Sequence, residues 1–311
     1  MIVFSQRASG ILFDFIKTYN SGIYLLPANV CPIVPLTFCA AKVRFEFVDI
    51  DEGTLCIDEK KCLEHFSKNP EQYAGILFVR TYGYKYDTSN FFFNIKSIDN
   101  KLKIIDDQCL CFPDFSAKTQ NSDLILFSTG YTKPLDIGKG GIGILNDINQ
   151  IHKYYLAEFN NFDIENFYKK ALNENSILKS IPSGWLDNSP YNEDIKEYQR
   201  QIEFEKEKVI EQKKYINSIY NSLLPDEIKM HQDFQNWRFN ILVENKNIIL
   251  EKIFANNLFA SSHYKPSNVL FDKNKHIVSE KLFSKVINLF NDKYFSCNQA
   301  EQISNIINQF L

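Results

Sequence analysis

At 311 residues the chain is long enough to bury one large core and a smaller one, and its 44% hydrophobic and 23% charged residues are those of an ordinary globular protein. A net charge of −3 leaves no cationic surplus to neutralise phosphates along a nucleic acid, so nucleic-acid binding is not expected. No apolar run approaches bilayer-spanning length, and the opening MIVFSQRASGILFDF has no signal-peptide pattern, so a cytoplasmic protein without membrane contact is expected.

In chain order, the first half alternates apolar runs with helical patterns. Strands are predicted at Ile23–Leu26, Arg44–Val48, Gly75–Val79, Lys103–Ile105, Leu124–Phe127 and Gly141–Leu145. These runs are β-branched or aromatic and do not alternate strictly, which suits strands buried on both faces of a mostly parallel sheet. Helices are predicted at Ser9–Thr18, Asp58–Phe66 and Ser89–Ile98, completing an α/β layer pattern.

From Tyr191 to Leu223 the sequence reads as one long charged helix. Ile195, Ile202, Val209, Ile216 and Leu223 recur at every seventh position, and Tyr198 and Ile219 fill the same stripe. Charge dominates the other faces and Pro225 ends the pattern, so a single helix bridging two domains is expected rather than a coiled coil. Beyond it the chain reads strand Trp237–Val243, helix Lys246–Asn256, strand Leu258–His263, helix Ile277–Phe283, strand Val286–Leu289 and helix Asn298–Phe310. Ser296 and Gln299 form a capping-box signal for the last of these. The expected division is a large domain over 1–190, the bridging helix over 191–225 and a small C-terminal α/β domain over 226–311.

The seven cysteines are an odd number without an export signal, so reduced thiols are expected. Cys109 and Cys111 form a CxC pair, but a zinc site takes about four ligands and no second pair exists. Packing is the preferred reading and no metal site is expected.

Two segments carry chemistry. Leu124–Leu145, LILFSTGYTKPLDIGKGGIGIL, holds one lysine, Lys133, outside its glycine cluster, and a serine, Ser128, five residues earlier. Gly138, Gly140, Gly141 and Gly143 are not a dinucleotide fingerprint, because they open a strand and not a helix. They fit a turn that lets backbone pass close to a flat group, or simply a turn. Lys103–Asp114, KIIDDQCLCFPD, ends an apolar strand in Asp106 and Asp107. Acids there sit where open α/β sheets bind ligands, or they are a solvated strand end.

Taken together, these segments resemble the DegT/StrS family of pyridoxal-phosphate (PLP)-dependent aminotransferases. SQRASGIL resembles the family's first phosphate-binding turn and YLLPANVCPIVPLTFCAAKVRFEFVDID its strand–helix–strand unit. VRTYGYKYD resembles its aromatic-glycine turn, IIDDQ its strand-end acid, FSTGYTK its cofactor-lysine loop and SSHYKPSN its C-terminal histidine-proline loop. The order is kept along almost the whole chain.

The resemblance implies the aspartate-aminotransferase fold (PLP fold type I) and roles residue by residue. Lys133 matches the lysine that condenses with the cofactor aldehyde and shuttles protons. Asp107 matches the carboxylate beside the pyridine nitrogen, with Asp106 its outward-facing neighbour. Ala8, Ser9 and Ser128 align with phosphate-binding positions. In the family an asparagine of the opposite subunit also reaches that phosphate; Asn188 or Asn192 in SGWLDNSPYNEDI could serve, although the usual asparagine-arginine pattern is absent. Cys31 stands where an aromatic residue commonly covers the ring, and Leu110 where the family has glutamine or histidine. Tyr82, His263 and Tyr264 fall where substrate is chosen, against the alternatives of rim packing and an idle loop histidine.

The expected reaction moves an amino group, by resemblance from glutamate, to a keto group of a nucleotide-linked sugar in amino-sugar or surface-polysaccharide biosynthesis, in a homodimer with shared active sites. The alternatives are a PLP enzyme acting on a small phosphorylated ketone or performing dehydration or decarboxylation, and a cofactor-free binding or regulatory relative.

Overall fold

The computed structural model describes residues 1–146, 150–156, 159–272 and 274–311. Seven strands form the main sheet: β1 (Ile2–Ser5), β2 (Ile23–Pro27), β3 (Phe45–Val48), β4 (Tyr73–Val79), β5 (Lys103–Asp107), β6 (Leu124–Ser128) and β7 (Gly141–Leu145). Their order is β1-β7-β6-β5-β4-β2-β3. Strands β2 to β6 pair parallel, whereas β7 runs antiparallel to both β6 and β1.

The apolar runs are buried on both faces, as their lack of alternation implied. Tyr24, Leu26, Leu77, Ile105 and Leu126 enter one cluster with helices α1 (Ala8–Thr18) and α2 (Ile33–Ala41). Ile23, Leu25, Ile76, Phe78 and Ile104 enter another on the opposite face, with α3 (Glu59–Lys68) and α4 (Ser89–Ile98). Helix α3 starts one residue later than its predicted range because Asp58 is its cap, accepting from Lys61 N at 3.0 Å. The first cluster also takes Ile164, Tyr168 and Ala171 of α5 (Ile164–Asn173), a helix that the sequence reading did not place.

The long helix α6 spans Ile195–Leu223. It begins at Ile195 and not Tyr191 because Asp194 caps it, accepting from Lys196 N at 2.8 Å. Tyr191 instead stacks on Tyr198, with ring centroids 4.5 Å apart. A strict seven-residue stripe drifts by about 20° per repeat around a straight helix. Accordingly Ile202, Val209 and Ile216 are buried, while the terminal members Ile195 and Leu223 are exposed. Tyr198, Ile202 and Val209 pack on β6 and β7, and Ile216 and Tyr220 pack in the C-terminal core, so one helix serves both.

That C-terminal core wraps a three-stranded antiparallel sheet, with β8 (Phe239–Leu242), β9 (Ala260–Ser261) and β10 (Val286–Leu289) in the order β8-β10-β9. Helices α7 (Lys246–Ala255), α8 (Ile277–Lys285) and α9 (Cys297–Gln309) accompany it. The predicted capping box of Ser296 and Gln299 is present at the start of α9.

Candidate active site

The parallel strands bring the carboxyl ends of β4, β5 and β6 to one edge of the sheet. Asp107 ends β5 in register with Val79 and Leu126, so it projects to the α1–α2 side, and Asp106 to the other. Both are buried, which excludes the solvated strand end. Asp106 faces away from Asp107, as alternation implied, but into the protein and not into solvent. It holds Arg80 in a two-point ion pair, Oδ1 to Nε at 2.9 Å and Oδ2 to Nη2 at 3.0 Å, and Gln108 Nε2 adds a third bond at 2.9 Å. Arg80 also donates to Tyr86 O and Thr88 Oγ1, each at 2.8 Å, so this pair ties the strand ends together.

Asp107 is placed differently. Its Oδ1 accepts from Cys109 N at 2.9 Å, and it has no ion pair among the described residues. Burial raises its proton affinity, while the Cys109 hydrogen bonds and the positive charge of Lys133 pull the other way without reversing the rise. The Lys133 charge also lowers the proton affinity of Cys31, Cys109 and His263, so these groups and Asp107 all lie within electrostatic range of the lysine.

The lysine loop between β6 and β7 is pinned from several sides. Lys133 N donates to Gly130 O at 3.3 Å, and Asp136 accepts from Thr132 N at 2.9 Å and Gly138 N at 2.8 Å. Thr129 Oγ1 meets the Tyr198 hydroxyl of α6 at 2.6 Å. Trp237, preceding β8, donates its indole N–H to Thr132 O at 2.7 Å, one residue from Lys133. Its own carbonyl accepts from Lys213 Nζ at 2.7 Å, a buried lysine whose proton affinity desolvation brings down to about 7.

Ser128, Gly141 and Ser5 form one rung across β6, β7 and β1. This places the start of α1, with Ala8 and Ser9, beside Ser128. The glycine is required: a Cβ on Gly141 would lie 2.3 Å from Ala8 N, closer than any real contact. Ser128 is buried, with its Oγ accepting from Gly130 N at 3.3 Å.

Tyr82 is fully buried, its ring parallel to that of Trp237 at 6.2 Å and its hydroxyl donating to His263 O at 2.6 Å. His263 N donates to Asn288 Oδ1 at 2.8 Å. Burial, with the charges of Arg238, Lys169 and Lys133, pushes the His263 imidazole down to about 3, so it is neutral. The Tyr264 hydroxyl and the Cys31 thiol are neighbours, and burial raises the proton affinity of both. Tyr82 thus holds the backbone of His263, and Tyr264 lies beside Cys31, with His263 and Cys31 both within electrostatic range of Lys133.

Asn188 and Asn192 lie apart, beside the β1–α1 junction of their own chain. The Asn188 amide is buried and donates to Asp14 Oδ1 at 3.0 Å and Tyr154 O at 2.5 Å, which uses both of its hydrogens. Exposed Asn192 accepts from Gln6 Nε2 at 2.6 Å.

Sequence reasoning passed over Arg238 and Trp237. Arg238 is 4% exposed, with its guanidinium 4.4 Å from the Trp237 ring and 3.7 Å from that of Phe290, and it donates to Ser261 Oγ. Burial lowers its proton affinity to about 10. Nothing local in NWRF marks these residues, since their neighbours lie far away in the chain.

The donor set fits a cofactor of the PLP type: an amine, a buried carboxyl group held near it, and a hydroxyl at a helix start where glycine lets two backbones meet.

No family model matches the sequence, and no curated protein matches it. Solved structures do. A DegT/DnrJ/EryC1/StrS aminotransferase from Brucella abortus is 17% identical with a TM-score of 0.71, over 99% of this chain and 85% of that one. Helicobacter pylori PseC, an aminotransferase of pseudoaminic acid biosynthesis, is 15% identical with a TM-score of 0.71, over 99% and 87%. Spr1654 of Streptococcus pneumoniae in its PLP form is 15% identical with a TM-score of 0.73, over 100% and 88%. Across its whole length this chain therefore has the α/β fold of the PLP-dependent transferases of fold type I.

Proposed function

We propose that this chain is a PLP-dependent aminotransferase that moves an amino group, with glutamate as donor, to a keto group of a nucleotide-linked sugar. The observation that carries it is buried Asp107 within electrostatic range of Lys133 at the carboxyl ends of β5 and β6. The fold shared with PseC and the Brucella aminotransferase supports the substrate class.

In this reading PLP, when bound, supplies the electron sink for bond breaking at the substrate carbon. Asp107 keeps a proton on the ring nitrogen: an ionised carboxylate beside a cationic ring suits both, and the cation supplies the partner that Asp107 lacks. The Lys133 amine attaches the cofactor and, once freed by substrate, moves the proton at the substrate carbon. Ser128 and the start of α1, at Ala8 and Ser9, hold the phosphate through hydroxyl and backbone N–H donors. Tyr82 fixes the backbone of His263, whose neutral ring lies with Tyr264 and Cys31 at the substrate side. The working form is a homodimer in the cytoplasm.

The test is a visible spectrum of the purified protein with PLP, followed by glutamate-dependent amination of a panel of keto sugars. The expected results are a band lost in Lys133→Ala and release of 2-oxoglutarate with a nucleotide-linked keto sugar. A protein that stays colourless with PLP rejects the reading.

A further inference from the structure

We propose, on the strength of the PLP reading above, that the Arg7 guanidinium binds the phosphate dianion of the cofactor from within its own chain. Arg7 immediately precedes α1, in extended backbone at φ −140° and ψ 144°. Its Nη1 lies 3.5 Å from the point where a Cβ on Gly130 would stand, and Ser128 Oγ lies 3.5 Å from that same point. Cation and hydroxyl therefore converge on Gly130, whose missing side chain leaves the space between them open. The Arg7 Cζ is 5.7 Å from the centroid of the Tyr131 ring, which holds the guanidinium against the lysine loop.

Half-buried Arg7 has no ion pair among the described residues, and its guanidinium makes no hydrogen bond to them. The carboxylate on the same loop, Asp136, is turned to Thr132 N and Gly138 N. A partly buried cation with free donors is complemented by an anion, and a guanidinium fork matches phosphate oxygens at two points. No acidic residue stands in the first turn of α1 and no side chain caps it, so the helix start adds positive potential of the same sense. The asparagines that could reach a phosphate from a second subunit are otherwise engaged: Asn188 with Asp14 and Tyr154, Asn192 with Gln6. An arginine in the phosphate turn itself replaces that contribution.

The test compares PLP with pyridoxal, which has the aldehyde and ring but no phosphate. Dissociation constants of both are measured from the visible absorption of the lysine-bound group, in wild type, Arg7→Gln and Arg7→Lys. Arg7→Gln is expected to weaken PLP about 10- to 100-fold, the range for a charge-assisted hydrogen bond. Pyridoxal should be unchanged, Arg7→Lys should recover part of the loss, and inorganic phosphate should compete with PLP more weakly in Arg7→Gln than in wild type. Equal weakening of both aldehydes, or none for either, overturns the role of Arg7 alone. A wild type that binds neither aldehyde overturns the PLP reading and the Arg7 role with it. Should Arg7→Gln not fold, the same PLP-to-pyridoxal ratio in Arg7→Lys decides.

Discussion

Asp107 and Lys133 lie within reach of each other's charge, and the balance at the carboxyl group is set by burial: desolvation raises its proton affinity more than the lysine ammonium and the Cys109 N–H lower it. Without a cationic ring beside it, the carboxyl group is held partly against its own ionisation. That tension has consequences for both stability and cofactor binding.

A carboxyl group whose folded-state pKa is raised contributes stability below its unfolded value and loses it as pH rises through the folded value. Ionising Asp107 in the cofactor-free protein therefore costs stability. Asp107→Asn, which cannot ionise, should melt higher than wild type above the raised Asp107 pKa without PLP, and bind PLP about 10- to 100-fold more weakly, the range for losing a charge-assisted hydrogen bond. In wild type, PLP affinity should fall as pH drops through the raised Asp107 pKa; in Asp107→Asn the profile should be flat there. Thermal melts and absorbance titrations across pH read both effects, and an Asp107→Asn that melts lower while binding PLP normally contradicts the assignment.

The neighbouring acid should behave in the opposite manner. Asp106→Ala leaves Arg80 buried with its main partner gone, and breaking one side of a buried ion pair costs about 3–5 kcal/mol. Chemical denaturation should show this loss, whereas PLP affinity per folded molecule should change little, because Asp106 faces away from the pocket. A variant of wild-type stability would mean that the Arg80 ion pair contributes nothing net.

Gly141→Ala tests the close passage of β7 over the start of α1. The added methyl would stand 2.3 Å from Ala8 N, so backbone has to move, and overpacking of this kind costs about 1–3 kcal/mol. Because the displaced segment holds Ala8 and Ser9, PLP should weaken together with the melting temperature, while pyridoxal weakens less. Gly53→Ala, whose Cβ meets only the Asp51 side chain at 3.3 Å, is the control and should leave PLP affinity unchanged.

The scaffold was legible in the sequence wherever burial leaves a pattern on neighbouring residues. Ile23–Leu26 and Leu124–Phe127 read as two-sided strands because every residue in them is buried, and the stripe on α6 showed at each seventh position. Strand β1 escaped because IVFS is four residues at a sheet edge, and its role as a rung beside Ser128 is set by β7, far away in the chain. Helix α5 escaped although Ile164, Tyr168 and Ala171 carry a helical spacing and Asp163 accepts from Asn166 N as its cap. At the site, Lys133 stood out as the lysine of a loop between two apolar runs and Asp107 as an acid at a strand end, and the family resemblance supplied their roles. The partner of Asp106 did not: alternation along β5 says only that it faces the other way, and Arg80 lies 26 residues earlier. Trp237 reaches the lysine loop, and Arg238 the rings of Trp237 and Phe290, only through the fold.

His263 provides a final test, in which the sign of the pH effect is the reverse of that at Asp107. Its imidazole is desolvated and faces the charges of Arg238, Lys169 and Lys133, so its folded-state pKa falls to about 3 from an ordinary 6.5. Between those values the unfolded chain takes up a proton that the folded protein refuses, so stability is lost as pH falls through this window. His263→Asn should therefore lose less stability than wild type between about pH 6.5 and pH 3, with the two curves parallel above that range. Imidazole NMR signals of wild type should show His263 untitrated at pH 5, and the acid limb of the activity profile should follow Asp107 and not this ring. A His263 that titrates near 6.5 would falsify the picture of a desolvated ring, and with it the claim that this side chain meets substrate only as a neutral group.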